Sequence, residues 1–191
     1  MKNKGRILAC DTSASRLAQL EKRMRRAGVH NTTAVAIASE QDSYLKRHRS
    51  SADCVLVDAP CSGSGTWRRN PDLKWRLSPE SLEELMRLQQ NILMQASRLV
   101  KPGGRLVYAT CSLLQEENER QLQNFTQNCQ DFRVASLGKI WNNLGSGLDG
   151  QQGTVMKTTP CKHQMDGFFA AVLVREPSSS PLPAGDNQPV T

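Results

Sequence analysis

Two cysteines close β-like runs in this chain. Cys61 lies in "VLVDAPCSGSGTW" (55–67), three residues after Asp58, and Cys111 ends "GRLVYATC" (104–111). Pro60 fixes the backbone just before the first thiol, while Gly63 and Gly65 permit a tight loop just after it. Thr110 and Ser112 flank the second thiol with hydroxyls. A cysteine beyond a strand is most simply a small, partly buried apolar residue. That reading suits Cys10 and Cys54 within apolar strands, Cys129 at a helix end and Cys161 in a loop. Two thiols on neighbouring strand ends instead suit a reaction that needs a nucleophile and a separate proton acceptor. An electron-poor pyrimidine is a fitting target. One thiolate adds to carbon 6, carbon 5 becomes nucleophilic enough to take a methyl group, and a base then removes the carbon-5 proton. An adjacent carboxyl can hold the base edge through the ring nitrogen and exocyclic amine.

The elements that must position these groups alternate. "RILACD" (6–11) reads as a buried strand ending on Asp11. "ASRLAQLEKRMRRAG" follows with apolar residues at helical spacing and Gly28 as its stop. "TTAVAIA" (32–38) and "DCVLVDAP" (53–60) are β-like. The stretch from Ser78 to Val100 opens with an N-cap serine, a proline and first-turn acids. It continues with one apolar face through Leu82, Leu85, Met86, Ile92, Leu93, Ala96 and Leu99. "KPGG" turns the chain into "RLVYATC", "QEENERQLQNFTQN" suits a helix, and "FRVASL" and "DGFFAAVLVR" (166–175) suit late strands separated by a Gly/Gln-rich loop. The pattern predicts an open α/β sheet with mostly parallel strands, whose ligands sit beyond the carboxyl ends of the strands. Asp11, Asp58, Cys61 and Cys111 all fall at or just past such ends. Residues 1–175 read as the folded domain and the polar, proline-rich 176–191 as a disordered tail.

The 191 residues suffice for one domain, and 25 basic against 18 acidic residues leave a formal charge of +7, which suits a polyanionic partner. Aromatics make up only 5%, so base-stacking platforms are few. Six cysteines without a CxxC pair, beside three histidines, argue against a zinc site, a disulfide scaffold and a thiol-redox protein. No signal peptide or long apolar run is visible, so a cytoplasmic protein with no membrane span, no metal and a monomeric state is the expectation.

"DAPCSGSGTWRRNPDLKW" followed by "LVKPGGRLVYATCS" closely resembles the NOL/NOP/Sun family of RNA cytosine carbon-5 methyltransferases. The resemblance runs from about residue 6 to residue 175. It takes in the "QxxIL" helix at 89–93, the "EEN" after Cys111 and the closing "DGFFAAVL". It implies a Rossmann-like class I methyltransferase sheet with helices on both faces, S-adenosylmethionine as methyl donor and ribosomal or transfer RNA as substrate. It also implies Cys111 as covalent nucleophile, Cys61 as the group assisting proton removal and product release, and Asp58 as the cytosine contact. In DNA cytosine methyltransferases the nucleophile is the cysteine of the Pro-Cys motif, so exchanged roles stay open. The family's cofactor acids correspond to Asp11, at the ribose hydroxyls, and Asp42, near the adenine amine. Asp11 also suits a cap on the next helix, and Glu40 stands close enough to replace Asp42. Pro60 would offer its carbonyl near the transferred methyl. In "WRRNPDLKWR" (67–76), Arg68, Arg69, Lys74 and Arg76 would contact RNA phosphates. The other reading is a solvated basic loop with both tryptophans packed on the core. "EKRMRRAG" reads as the wet face of a helix.

The departure is at the front. A glycine-rich "PGGKT"-like loop after the first strand of the family's sheet has no counterpart before Arg6, and the usual N-terminal RNA-binding extension is missing as well. "KPGG" lies before a different strand and does not replace the loop. That strand belongs between those ending at Asp11 and Asp58, so these two either pair directly or leave a gap. The expectation is therefore a partial catalytic domain, truncated or one half of a split protein. Cofactor binding would be weak or absent, and the chain would not methylate RNA at a useful rate alone. The rival reading is a basic RNA-binding module without chemistry.

Overall fold

The computed structural model describes residues 1–138 and 153–177. Residues 139–152 of the Gly/Gln-rich loop and nearly all of the expected disordered tail lie outside the described residues. The chain runs β1 (Ile7–Asp11), α1 (Ala14–Arg26), β2 (Thr32–Ala36), α2 (Ser43–Lys46), β3 (Ala52–Asp58), a 3-10 turn (Ser64–Thr66), α3 (Asp72–Arg76), α4 (Pro79–Ser97), β4 (Val100–Thr110), α5 (Glu119–Asn128), β5 (Phe132–Val134), β6 (Val155–Thr158), α6 (Pro160–His163) and β7 (Phe168–Arg175).

β1 and β2 form a two-stranded parallel sheet, and β3-β4-β7-β5 form a second sheet in which β6 also pairs with β7. β3 and β4 are parallel, but all three partners of β7 are antiparallel to it. The expectation of mostly parallel strands thus holds only for the first four strands. β6 reaches β7 through the short α6 connection, and so brief a link reverses the chain direction, whereas parallel neighbours need a long crossover. The 19-residue α4 supplies that crossover between β3 and β4. Its start is fixed by a capping box, with Ser78 Oγ accepting from Ser81 N at 3.2 Å and Ser81 Oγ from Ser78 N at 2.9 Å.

The core lies on one face of the second sheet. Leu106 and Tyr108 of β4 and Phe169, Ala171 and Leu173 of β7 meet Leu93 and Ala96 of α4 and Leu122 and Phe125 of α5. The period-two alternation of the strands selects those residues for one face, and the helical spacing matches them from above. "KPGG" is not a turn ahead of the strand but an irregularity within β4: the β3–β4 register jumps from Ala52↔Val100 to Cys54↔Arg105, and Gly103 adopts φ +77°.

β1 and β3 do not pair, and no strand lies between them among the described residues. Of the two outcomes expected there, the gap is the one found. β3 is correspondingly open, with Leu56 68% exposed and only Val57 buried. No described helix is long and apolar enough to cross a membrane.

Candidate active site

Pairing of β3 with β4 brings the two cysteines together. Asp58 stands opposite Ala109, and Ala59 N donates to Ala109 O at 3.0 Å, so the parallel strands end level with each other. The next residues out are Pro60 and Cys61 on one strand and Cys111 on the other. Their Sγ atoms lie 3.4 Å apart, in hydrogen-bond contact and half-buried. The loop after Cys61 folds back over this pair. Gly63 takes φ +65°, Gly65 N donates to Cys111 O at 2.9 Å, and Gly167 N donates to Gly65 O at 2.9 Å. A Cβ on Gly65 would lie 2.7 Å from Gly167 Cα, so only glycine allows this three-layer approach.

The thiols share one proton unequally. Cys111 is lowered to about 7, chiefly by the hydrogen bond from Cys61, against burial and the nearby charges of Asp58 and Glu117. Cys61 is pushed far upward, first by its bond to Cys111 and then by burial. The lowered Cys111 is thus the thiol more readily ionised at neutral pH, with Cys61 as its protonated neighbour. Asp58 is exposed at the end of β3, and its carboxylate has no hydrogen-bond or ion-pair partner among the described residues. It is available to an incoming ligand.

Gln89, Glu117 and Asn118 are fully buried behind the thiols. The reading of the sequence gave these three no role. The signal lay in "QxxIL" and "EEN", whose polar members fall where a core-facing helix and its approach should be apolar.

Asp11 ends β1, with its carboxylate accepting from Ser13 N at 2.7 Å and pairing with Arg16 at 3.4 Å. The cap itself is Ser13, which accepts from Arg16 N. Asp42 caps α2: its oxygens accept from Tyr44 N and Ala38 N, both at 2.8 Å, and these bonds hold its carboxyl below the usual range. Burial and, after it, the charge of Asp42 raise the Cys10 thiol of β1, so Asp42 and the carboxyl end of β1 share one neighbourhood. The carboxylates of Asp11, Asp42 and Asp58 and the Pro60 carbonyl beside the thiols are acceptors, the groups that the hydroxyls and amine of a nucleoside require. Gln89 Nε2 already donates to that carbonyl at 2.9 Å.

The basic loop is less free than its sequence suggests. Arg68 and Arg69 are exposed, but both pair with Asp166, Arg68 at 3.8 Å. Lys74 and Arg76 are exposed on α3. The two tryptophans differ: Trp67 is half-buried with its indole N–H unpartnered, while Trp75 is 82% exposed with Lys74 Nζ 5.5 Å from its ring centre. Trp75 does not pack on the core as one reading had it.

A sheet that presents a thiol pair and a free carboxylate at its strand ends, flanked by helices and matched to solved methyltransferases, has the Rossmann-like methyltransferase fold. The structure titled PH0851 is 37% identical with a TM-score of 0.79, covering 91% of this chain and 38% of that one. NSun6 from Pyrococcus horikoshii, solved with SFG, is 28% identical with a TM-score of 0.71 and is covered to 42%. The ribosomal RNA small subunit methyltransferase B of Shewanella oneidensis is 34% identical over 170 residues, 89% of this chain and 37% of that protein. Residues 1–174 match the family model described as 16S rRNA methyltransferase RsmB/F. The chain belongs to that family, and it spans less than half the length of these relatives.

Proposed function

We propose that this chain carries the reacting groups of an S-adenosylmethionine-dependent methyltransferase acting on carbon 5 of cytosine in ribosomal RNA. The observation that carries the reading is the contact of Cys61 and Cys111 at 3.4 Å beside the unpartnered Asp58. The Cys111 thiolate bonds to carbon 6 of the ring, and the electrons of the 5,6 double bond move to carbon 5. S-adenosylmethionine, when bound, supplies the methyl group that carbon 5 takes. Forming the carbon–sulfur bond consumes the charge that held the proton of Cys61, so this thiol returns toward ordinary acidity and can ionise. As a thiolate it removes the carbon-5 proton, the double bond re-forms, and Cys111 leaves as thiolate. Asp58 holds the base edge, Asp11 and Asp42 face the nucleoside part of the cofactor, and Pro60 lies near the methyl. Arg68, Arg69, Lys74 and Arg76 contact phosphates. A relative solved with SFG, an analogue of the methyl donor, supports the choice of cofactor.

The second reading, a basic RNA-binding module, is favoured by the open edges of β1 and β3. Labelled methyl donor and small-subunit RNA, followed by nucleoside analysis, separate the two. Label in 5-methylcytosine supports the first reading. RNA binding without label supports the second, and label in another nucleoside defeats the assignment to carbon 5.

A further inference from the structure

The two cysteine loops are gripped from behind by one pair of consecutive residues. Glu117, fully buried, accepts from Ser62 N at 2.8 Å and from Ser62 Oγ at 2.5 Å, holding the residue next to Cys61. Asn118, also fully buried, accepts from Thr110 Oγ at 2.6 Å and donates to Ser112 O at 2.9 Å, holding both neighbours of Cys111. Gln89 of α4 closes the bracket by donating to Glu117 Oε1 and to Pro60 O, both at 2.9 Å. Tyr108 of β4 donates its hydroxyl to Glu117 O at 2.7 Å, which anchors the bracket to the sheet. Ser64 Oγ and Ser112 Oγ meet at 3.0 Å and tie the two loops directly.

A buried carboxylate is a costly way to fill space, and an apolar side chain would serve a purely structural need better. This one is satisfied by three donors, two of them on the loop of Cys61. We propose that Glu117 and Asn118 are positioning residues that fix the separation of the Cys61 and Cys111 sulfurs. Each takes one loop, and because they are adjacent in the chain the two grips cannot drift apart. The proposal rests on the reading of Cys61 and Cys111 as a working pair. Its test requires neither RNA nor cofactor, so it fails separately from the proposed methyl transfer.

The test is the pH dependence of Cys111 alkylation in the full chain, followed by mass spectrometry of the Cys111 peptide. Glu117→Ala opens the bracket, so Cys61 stops donating and the Cys111 profile moves up toward that of an ordinary thiol. The rate at pH 7 then falls by about sixfold, the loss from two units of acidity partly offset by the greater nucleophilicity of the more basic thiolate. Glu117→Gln keeps the shape and the accepting oxygen toward Ser62 N and Gln89 while removing a charge that raises Cys111. Its profile stays in place or moves down, a rescue that mere loss of stability would not produce. A folded Glu117→Ala with an unchanged profile overturns the proposal. Should that variant not fold, Ser62→Ala, which removes one of the two Ser62 bonds to Glu117, and Asn118→Ala, which removes both bonds that hold the neighbours of Cys111, replace it. Upward movement in both supports the bracket, and unchanged profiles in both refute it.

Discussion

Replacing Cys61 by alanine removes the donor that stabilises the Cys111 thiolate, and the consequence can be worked through. With Cys111 lowered to about 7, half of it is thiolate at pH 7. Returned to about 9 it is roughly 1% thiolate, a ~50-fold loss of the reactive form. The more basic thiolate is about eightfold more nucleophilic for a two-unit rise, so the net fall in alkylation rate at pH 7 is about sixfold. Above pH 9 both proteins are largely thiolate at this position, and the order reverses, with Cys61→Ala up to about eightfold faster. The assay is iodoacetamide alkylation from pH 5.5 to 10.5, read on the Cys111 peptide because the other cysteines also react. A crossover is expected. Parallel curves without a crossover, or modification of Cys61 ahead of Cys111 in the unsubstituted protein, would refute the unequal sharing of the proton.

Three further outcomes follow from the same geometry. Oxidised glutathione should join Cys61 and Cys111 in a disulfide: Cys111 attacks, glutathione leaves as thiolate, and Cys61 displaces the second glutathione as the sulfurs close from 3.4 Å to about 2.0 Å. A stable mixed disulfide on Cys111 would contradict that closeness. Gly65→Ala should destabilise the fold by about 1–3 kcal/mol in urea melts, since its Cβ must push Gly167 away, whereas no loss would mean the loop is looser than described. Asp166→Asn releases Arg68 and Arg69, so RNA binding should tighten at low salt, and the slope of log affinity against log salt should steepen by about one for each cation gained.

Much of the site was legible because its residues follow strands directly. "VLVD" and "RLVYAT" are β-runs, so Asp58, Cys61 and Cys111 read as lying at or just past strand ends, and the pairing of β3 with β4 brings the two thiols together. Their roles came from the family resemblance. β6 and α6 were absorbed into a loop because "VMKT" and "PCKH" are too short to show a period. The antiparallel half of the sheet was missed because strand direction depends on connection length, and that connection was read as irregular. Glu117 and Asn118 were passed over because polar residues near a helix start suggest solvent, and only the fold buries them. The ion pair of Asp166 with Arg68 and Arg69 joins residues far apart in sequence and left no local mark.

The central claim is that Cys111 attacks the base while Cys61 releases it. The most direct measurement is the mass of peptides from Cys61→Ala after incubation with small-subunit RNA and S-adenosylmethionine, followed by nuclease and protease digestion. The account predicts a methylated cytidine on the Cys111 peptide, and no such adduct in the Cys61→Ala, Cys111→Ala double variant. An adduct that forms in Cys111→Ala and maps to the Cys61 peptide would contradict it.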